Sequence, residues 1–143
     1  MIKQITCNEF YRRTFKSVVR CGSLAEAARR NWAEVEWWAT GDFRKLGVVI
    51  FDSIDEDWNV VVLKSKSGQY QTCDVEASLK TQQVASLALQ GLLKGERKSN
   101  YHEVQQILST KLNGGKPLES DQAARQIIFD RLNEPYSGND PYP

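Results

Sequence analysis

Histidine occurs once in this chain of 143 residues, cysteine three times, and the net charge is only +1. Each scarcity excludes something. A catalytic triad needs a base, a nucleophile and a group that orients the base. The single His102 falls on the outer side of its helix, near Gln106 and Ser109, with no carboxylate three or four residues away. There is no C-x-x-C pair, no G-x-S-x-G and no glycine-rich phosphate loop. A charge of +1 falls short of the basic excess with which proteins track a phosphate backbone. No apolar run approaches the ~18–20 residues that span a bilayer, and the opening Met-Ile-Lys-Gln-Ile-Thr lacks the apolar core of a leader. A cytoplasmic protein without membrane contact is the expectation.

The charge is unevenly spread. Residues 1–45 carry nine Lys/Arg and five Asp/Glu, a balance of +4, whereas residues 46–75 carry two and five, a balance of −3. Cys7 and Cys21 fall on one expected helix, about 21 Å apart at ~1.5 Å per residue. A disulfide needs Cα atoms within ~7 Å, so the three cysteines read as small buried hydrophobes.

What the chain does have is strand pattern in its middle third. Leu46–Phe51 and Trp58–Leu63 are dense in β-branched and aromatic residues, which suit a pleated, half-buried surface. The acidic loop Asp52-Ser-Ile-Asp-Glu-Asp57 joins them, and Lys66-Ser67-Gly68 turns the chain into a third strand, Gln69–Val75, containing Cys73. Successive strand side chains point to opposite faces, so Val48-Val49-Ile50-Phe51 and Val60-Val61-Val62-Leu63 are apolar on both. In a three-strand meander the first of these strands lies at an edge, and an apolar edge must be paired, covered or blocked.

Helical pattern flanks the strands. Thr6-Cys-Asn-Glu9 is a capping box opening a first helix that Gly22 ends, with Arg12, Arg13, Lys16 and Arg20 in one basic arc. Ser23-Leu-Ala-Glu26 opens a second helix, about 24–38, from which Trp37 projects on the polar side with Arg30. A third, about 82–94, is apolar around two-thirds of its girth, which suits a helix packed centrally on the sheet. A fourth starts at Asn100, with Tyr101, Val104, Leu108 and Leu112 as its stripe. A fifth runs from about Ser120 to Leu132, with Ala123, Ala124, Ile127, Ile128 and Leu132 inward. The expected fold is α+β: a three-stranded antiparallel meander flanked by two N-terminal and three C-terminal helices. It forms a single domain, 1–134, with an irregular Pro/Gly-rich tail over 135–143.

Few constellations carry chemistry. Asp55-Glu-Asp57-Trp-Asn59 begins like a calcium loop, but Val60 replaces the turn glycine and Lys66 the closing glutamate. A metal-dependent nuclease would pair Asp52 with an acid-x-lysine strand, and Val62-Leu-Lys64 lacks the acid, while Glu96-Arg-Lys98 follows a helix. No metal, cofactor or catalytic residue is nominated. Gly22-Ser-Leu-Ala-Glu-Ala-Ala-Arg-Arg30 resembles the first half of the helix-turn-helix in LysR-type regulators, and Leu46-Gly47 with a wing-like hairpin follows. The resemblance implies winged-helix DNA binding. It covers some 30 residues, and after Arg30 the turn and the recognition helix are not matched. The expected function is a small non-enzymatic binding or adaptor protein whose partner is another protein or a second copy of itself. Nucleic acid is the alternative partner, and an enzyme the third reading. The expected contact surface is Arg12, Arg13, Lys16, Arg20, Arg30 and Trp37, a basic arc beside an indole that its own helix does not bury.

Overall fold

Strands apolar on both faces need cover on both sides, and the fold supplies it. The computed structural model describes residues 1–15, 32–99 and 101–133. Strands β1 (Ile2–Ile5), β2 (Ala33–Thr40), β3 (Lys45–Asp52), β4 (Asp57–Lys66) and β5 (Gln69–Leu79) form one antiparallel sheet in chain order. The described helices are α1 (Cys7–Phe15), α2 (Gln82–Lys94), α3 (Tyr101–Leu112) and α4 (Asp121–Asn133). α2 lies on one face, where Ala85, Leu89, Leu92 and Leu93 pack against Val49, Val60 and Val62. On the other face Phe10 and Tyr11 of α1, Leu108 of α3, and Ile128 and Leu132 of α4 pack against Leu46, Val48, Ile50, Val61, Leu63 and Val75.

The meander is present as β3–β5, so the α+β class stands, but the sheet has five strands rather than three. Residues 33–38, expected to end a second helix, belong to β2 instead, and residues 2–5 form β1. The reason is a bulge. Between Glu34 and Glu36 strand β2 advances two residues while β3 advances one, from Ile50 to Val49. The extra residue breaks the period-two alternation by which a strand is read. Pairing with β1 on one side and β3 on the other then decides the conformation, since strand preference depends on context. The expected apolar edge strand, β3, is consequently interior. The remainder of the first two expected helices, residues 16–31, and the tail over 135–143 lie outside the described residues.

Local signals that act over a few residues hold. Thr6 Oγ1 accepts from Glu9 N at 3.1 Å, although the Glu9 carboxylate pairs with Arg13 instead of reaching back. Thr81 caps α2 by accepting from Val84 N at 3.1 Å, and Gly95, with φ 76°, ends it. Ser67 (φ 54°) and Gly68 (φ 80°) make the two-residue turn between β4 and β5, in which both residues are left-handed as a type I′ hairpin turn requires. Gly47 matters for another reason. A Cβ there would lie 2.4 Å from Leu89 Cδ1, so the absence of a side chain lets α2 sit close on the sheet.

One cysteine departs from expectation. Cys7 is disulfide-bonded, whereas Cys73 carries a free thiol. Separation along one long helix does not bear on this bond, because α1 is described only to Phe15. Its other half lies outside the described residues.

The seating of α2 on Gly47 makes the first prediction. Gly47→Ala should destabilise the protein by about 1–3 kcal/mol through overpacking, and Leu89→Ala by about 2–5 kcal/mol through the cavity it leaves. In the double variant the new methyl meets the vacated space, so denaturant unfolding should show a combined loss well below the sum. Simple additivity would mean that the two residues do not meet.

Candidate anion-binding cavities

Of the surface nominated by sequence, Arg12, Arg13 and Trp37 fall within the described residues. Arg12 is exposed on α1, and Arg13 stacks 3.5 Å from the centre of the Phe43 ring while pairing with Glu9 at 3.3 Å. Trp37 sits on β2 beside Val48 and packs, half-buried, against the α1–α3–α4 side of the core. It is therefore not a helix residue aimed at solvent. Lys16, Arg20 and Arg30, like the segment 22–30 that resembles a helix-turn-helix, lie outside the described residues.

A different group of cations comes together at the end of the sheet that holds the β4–β5 turn. Lys45 on β3 stands directly opposite Lys64 on β4. Like charges in that relation are destabilising. Lys66, two residues on, projects to the same side of β4 as Lys64. Arg44 precedes β3, and Arg125 reaches in from α4. A cavity of about 550 Å³ is lined here by Arg44, Lys64, Lys66 and Arg125. The hydroxyls of Ser65, Ser67 and Thr72, the Gln71 amide and Cys73 complete its wall. None of the described residues lining it carries a carboxylate. Thr72 is 3 % exposed, and its hydroxyl is buried without a hydrogen-bond partner among the described residues.

Two further cavities adjoin it. One of about 530 Å³ shares Arg44 and Lys64 and adds Lys45 and Lys94. It also contains Asp42, whose carboxylate accepts from Arg44 N at 3.1 Å and Thr40 Oγ1 at 2.8 Å. Those two bonds hold its pKa below the ordinary carboxylate value. The other, of about 450 Å³, shares Gln71, Thr72 and Arg125 and adds Tyr70, Phe129 and three more glutamines. The Tyr70 hydroxyl donates to the Phe43 carbonyl at 2.5 Å, and burial pushes its pKa up. The Cys73 thiol is pushed up to about 11 by burial and then by Asp74, against the opposing pull of Lys45, Lys64 and Arg125. A thiol so raised is a poor nucleophile near neutral pH.

The acidic loop occupies the opposite end of β3 and β4. Asp52, Asp55 and Asp57 bring carboxylate oxygens within 4.8 Å of one another. The Lys111 ammonium, from α3, bonds to both Asp52 and Asp55, and Asp52 also accepts from Ile54 N at 2.9 Å and Asp55 N at 3.2 Å. The lysine stands where a cation would, which is a further departure from a calcium loop. His102, expected to lack a carboxylate neighbour, has Asp121 of α4 at 3.5 Å, with both side chains at least half exposed.

The cation-lined cavity was missed because its residues come from the turn before β3, from β4 and β5, and from α4. Arg44-Lys45 and Lys64-Ser-Lys66 do bracket the apolar strands, and the β3–β4 register, with Lys45 opposite Lys64, aligns them. Nothing local marks Arg125 as their neighbour. No helix among the described residues is long and apolar enough to cross a membrane. No protein-family model, no curated protein and no solved structure matches the chain. Function must therefore be read from the chemistry of the site.

Asp57 yields a prediction with a definite sign. Burial, the largest influence, raises its pKa, with Asp52 and Asp55 adding to that and Lys111 opposing. A carboxyl whose folded pKa exceeds its unfolded value, ordinarily ~3.9, stabilises the fold below that value. It weakens the fold as pH rises through the folded pKa. Asp57→Asn should raise the urea midpoint at pH 7 and leave it nearly unchanged at pH 3. A loss at pH 7 would mean that the charge itself is needed beside Lys111.

Proposed function

We propose that this chain is a non-enzymatic binding protein whose ligand carries phosphate groups, seated in the cation-lined cavity at the β4–β5 turn. The observation that carries this reading is the composition of one wall: four cations and three hydroxyls, with no carboxylate among the described lining residues. Cations and hydroxyls are donors, and a site built of them suits an acceptor-rich anion. Its size falls within the ~300–1,000 Å³ typical of small-ligand sites. The like-charged pair Lys45 and Lys64 is unfavourable across the strands, and an anion bound beside Lys64 would offset that repulsion. The raised thiol of Cys73 favours binding over nucleophilic catalysis.

The expectation of a protein partner or a second copy rests on strands apolar on both faces and an open apolar edge. Helices of the same chain provide that cover, so self-association is no longer needed to account for the strands.

Isothermal titration with tripolyphosphate tests the reading. The wild type should bind, more weakly at 200 mM than at ~50 mM salt, as ion pairing requires. Lys64→Glu and Lys66→Glu change exposed side chains and should each weaken binding about tenfold or more, whereas Arg12→Glu should not. Tighter binding of a ten-glutamate peptide than of tripolyphosphate would assign the cavity to an acidic protein and overturn the phosphate reading.

A further inference from the structure

The cation-lined cavity does not stand alone, and the chemistry of its neighbour differs in kind. Across the shared residues Gln71, Thr72 and Arg125 the wall changes from cations and hydroxyls to amides and rings. Gln69, Gln71, Gln122 and Gln126 supply the amides, and Tyr70 and Phe129 the rings. An amide side chain offers donors and an acceptor together. A phosphate has no use for the acceptor, whereas the edge of a nucleobase presents both kinds of group. Aromatic faces take bases of any sequence by stacking. The Tyr70 ring is held in place at its far end, since its hydroxyl donates to the Phe43 carbonyl.

We propose that the two adjoining cavities form one nucleotide site, with the base in the glutamine-lined cavity and the phosphates in the cation-lined one. The assignment deepens the phosphate-binding reading above and rests on it. Thr72 stands on the wall common to both cavities, and its buried hydroxyl lacks a partner among the described residues. A buried hydroxyl without a partner is costly, and a ligand oxygen at the junction of base and phosphate, where the sugar sits, answers it. Beyond the cation-lined cavity, the third cavity shares Arg44 and Lys64 and adds Lys45 and Lys94. Phosphates therefore have somewhere to continue, whether as a polyphosphate tail or as the next unit of a strand.

Titration calorimetry with inorganic tripolyphosphate, ATP, GTP, CTP, UTP and a single-stranded pentanucleotide separates the possibilities. At least one nucleoside triphosphate should bind tenfold or more tightly than tripolyphosphate. The double variant Gln122→Ala/Gln126→Ala alters two exposed side chains that line the glutamine cavity alone. It should cancel that advantage while leaving tripolyphosphate binding unchanged within about twofold. A pentanucleotide that binds more tightly still, with a steeper salt dependence, identifies a strand as the natural source. If it binds no better than the best triphosphate, the source is the free nucleotide. Either outcome supports the site. Equal affinities for tripolyphosphate and all four triphosphates would overturn the base cavity and leave the phosphate reading intact. Binding of none of the probes would overturn both.

Discussion

Burial of β3 and β4 on both faces is the constraint from which the rest of this structure follows. Val49, Val60 and Val62 face one way, Val48, Ile50, Val61 and Leu63 the other, and all are fully buried. No arrangement of a bare meander achieves that. The chain meets it by placing α2 on one side and α1, α3 and α4 on the other, and by flanking the central pair with β2 and β5. The close approach of α2 depends in turn on Gly47, whose missing side chain is the space that Leu89 fills. A buried polar contact ties the second layer together. The Tyr11 hydroxyl of α1 meets the buried Glu34 of β2 and, at 2.8 Å, the Leu132 carbonyl of α4.

Covering both faces leaves the ends of the strands for charged chemistry, and the two ends are unlike. β3 and β4 begin and finish in charge, Asp52 opposite Asp57 at one end and Lys45 opposite Lys64 at the other. Both pairs are like-charged and both carry a cost. At the acidic end the chain provides its own answer in Lys111, which bonds to Asp52 and Asp55. At the basic end the described residues lining the cation-lined cavity offer no carboxylate in return. Asp42 stands in the neighbouring cavity, already engaged by Thr40 and Arg44. That asymmetry is the ground on which the proposed anion site is assigned to the basic end of the sheet.

Legibility in the sequence followed the range of the signal. The cap at Thr6 and the hairpin turn Ser67-Gly68 act within a few residues, and each is found where its pattern indicated. Composition and periodicity located β3, β4 and α2, and the strands read as apolar on both faces are buried on both. β2 escaped because the bulge between Glu34 and Glu36 disrupts the alternation, and its Trp37 was consequently aimed at solvent rather than at the core. β1 is four residues long and offers too little pattern to read. The His102–Asp121 contact and the Lys111 bridge join α3 to α4 and to the acidic loop, so spacing along one helix could not reveal them. The cavity was hidden for the same reason: Arg44, Lys64, Thr72 and Arg125 meet only once the sheet register and the seat of α4 are fixed.

The central claim is that the basic end of the sheet, rather than the basic face of α1, receives the ligand. Backbone amide NMR spectra recorded while tripolyphosphate is added test it residue by residue. The account predicts saturable shifts for Arg44, Lys64, Ser65, Thr72, Cys73 and Arg125, with Arg12 and Arg13 unmoved. Shifts confined to Arg12 and Arg13, or drift without saturation across the whole chain, would contradict it.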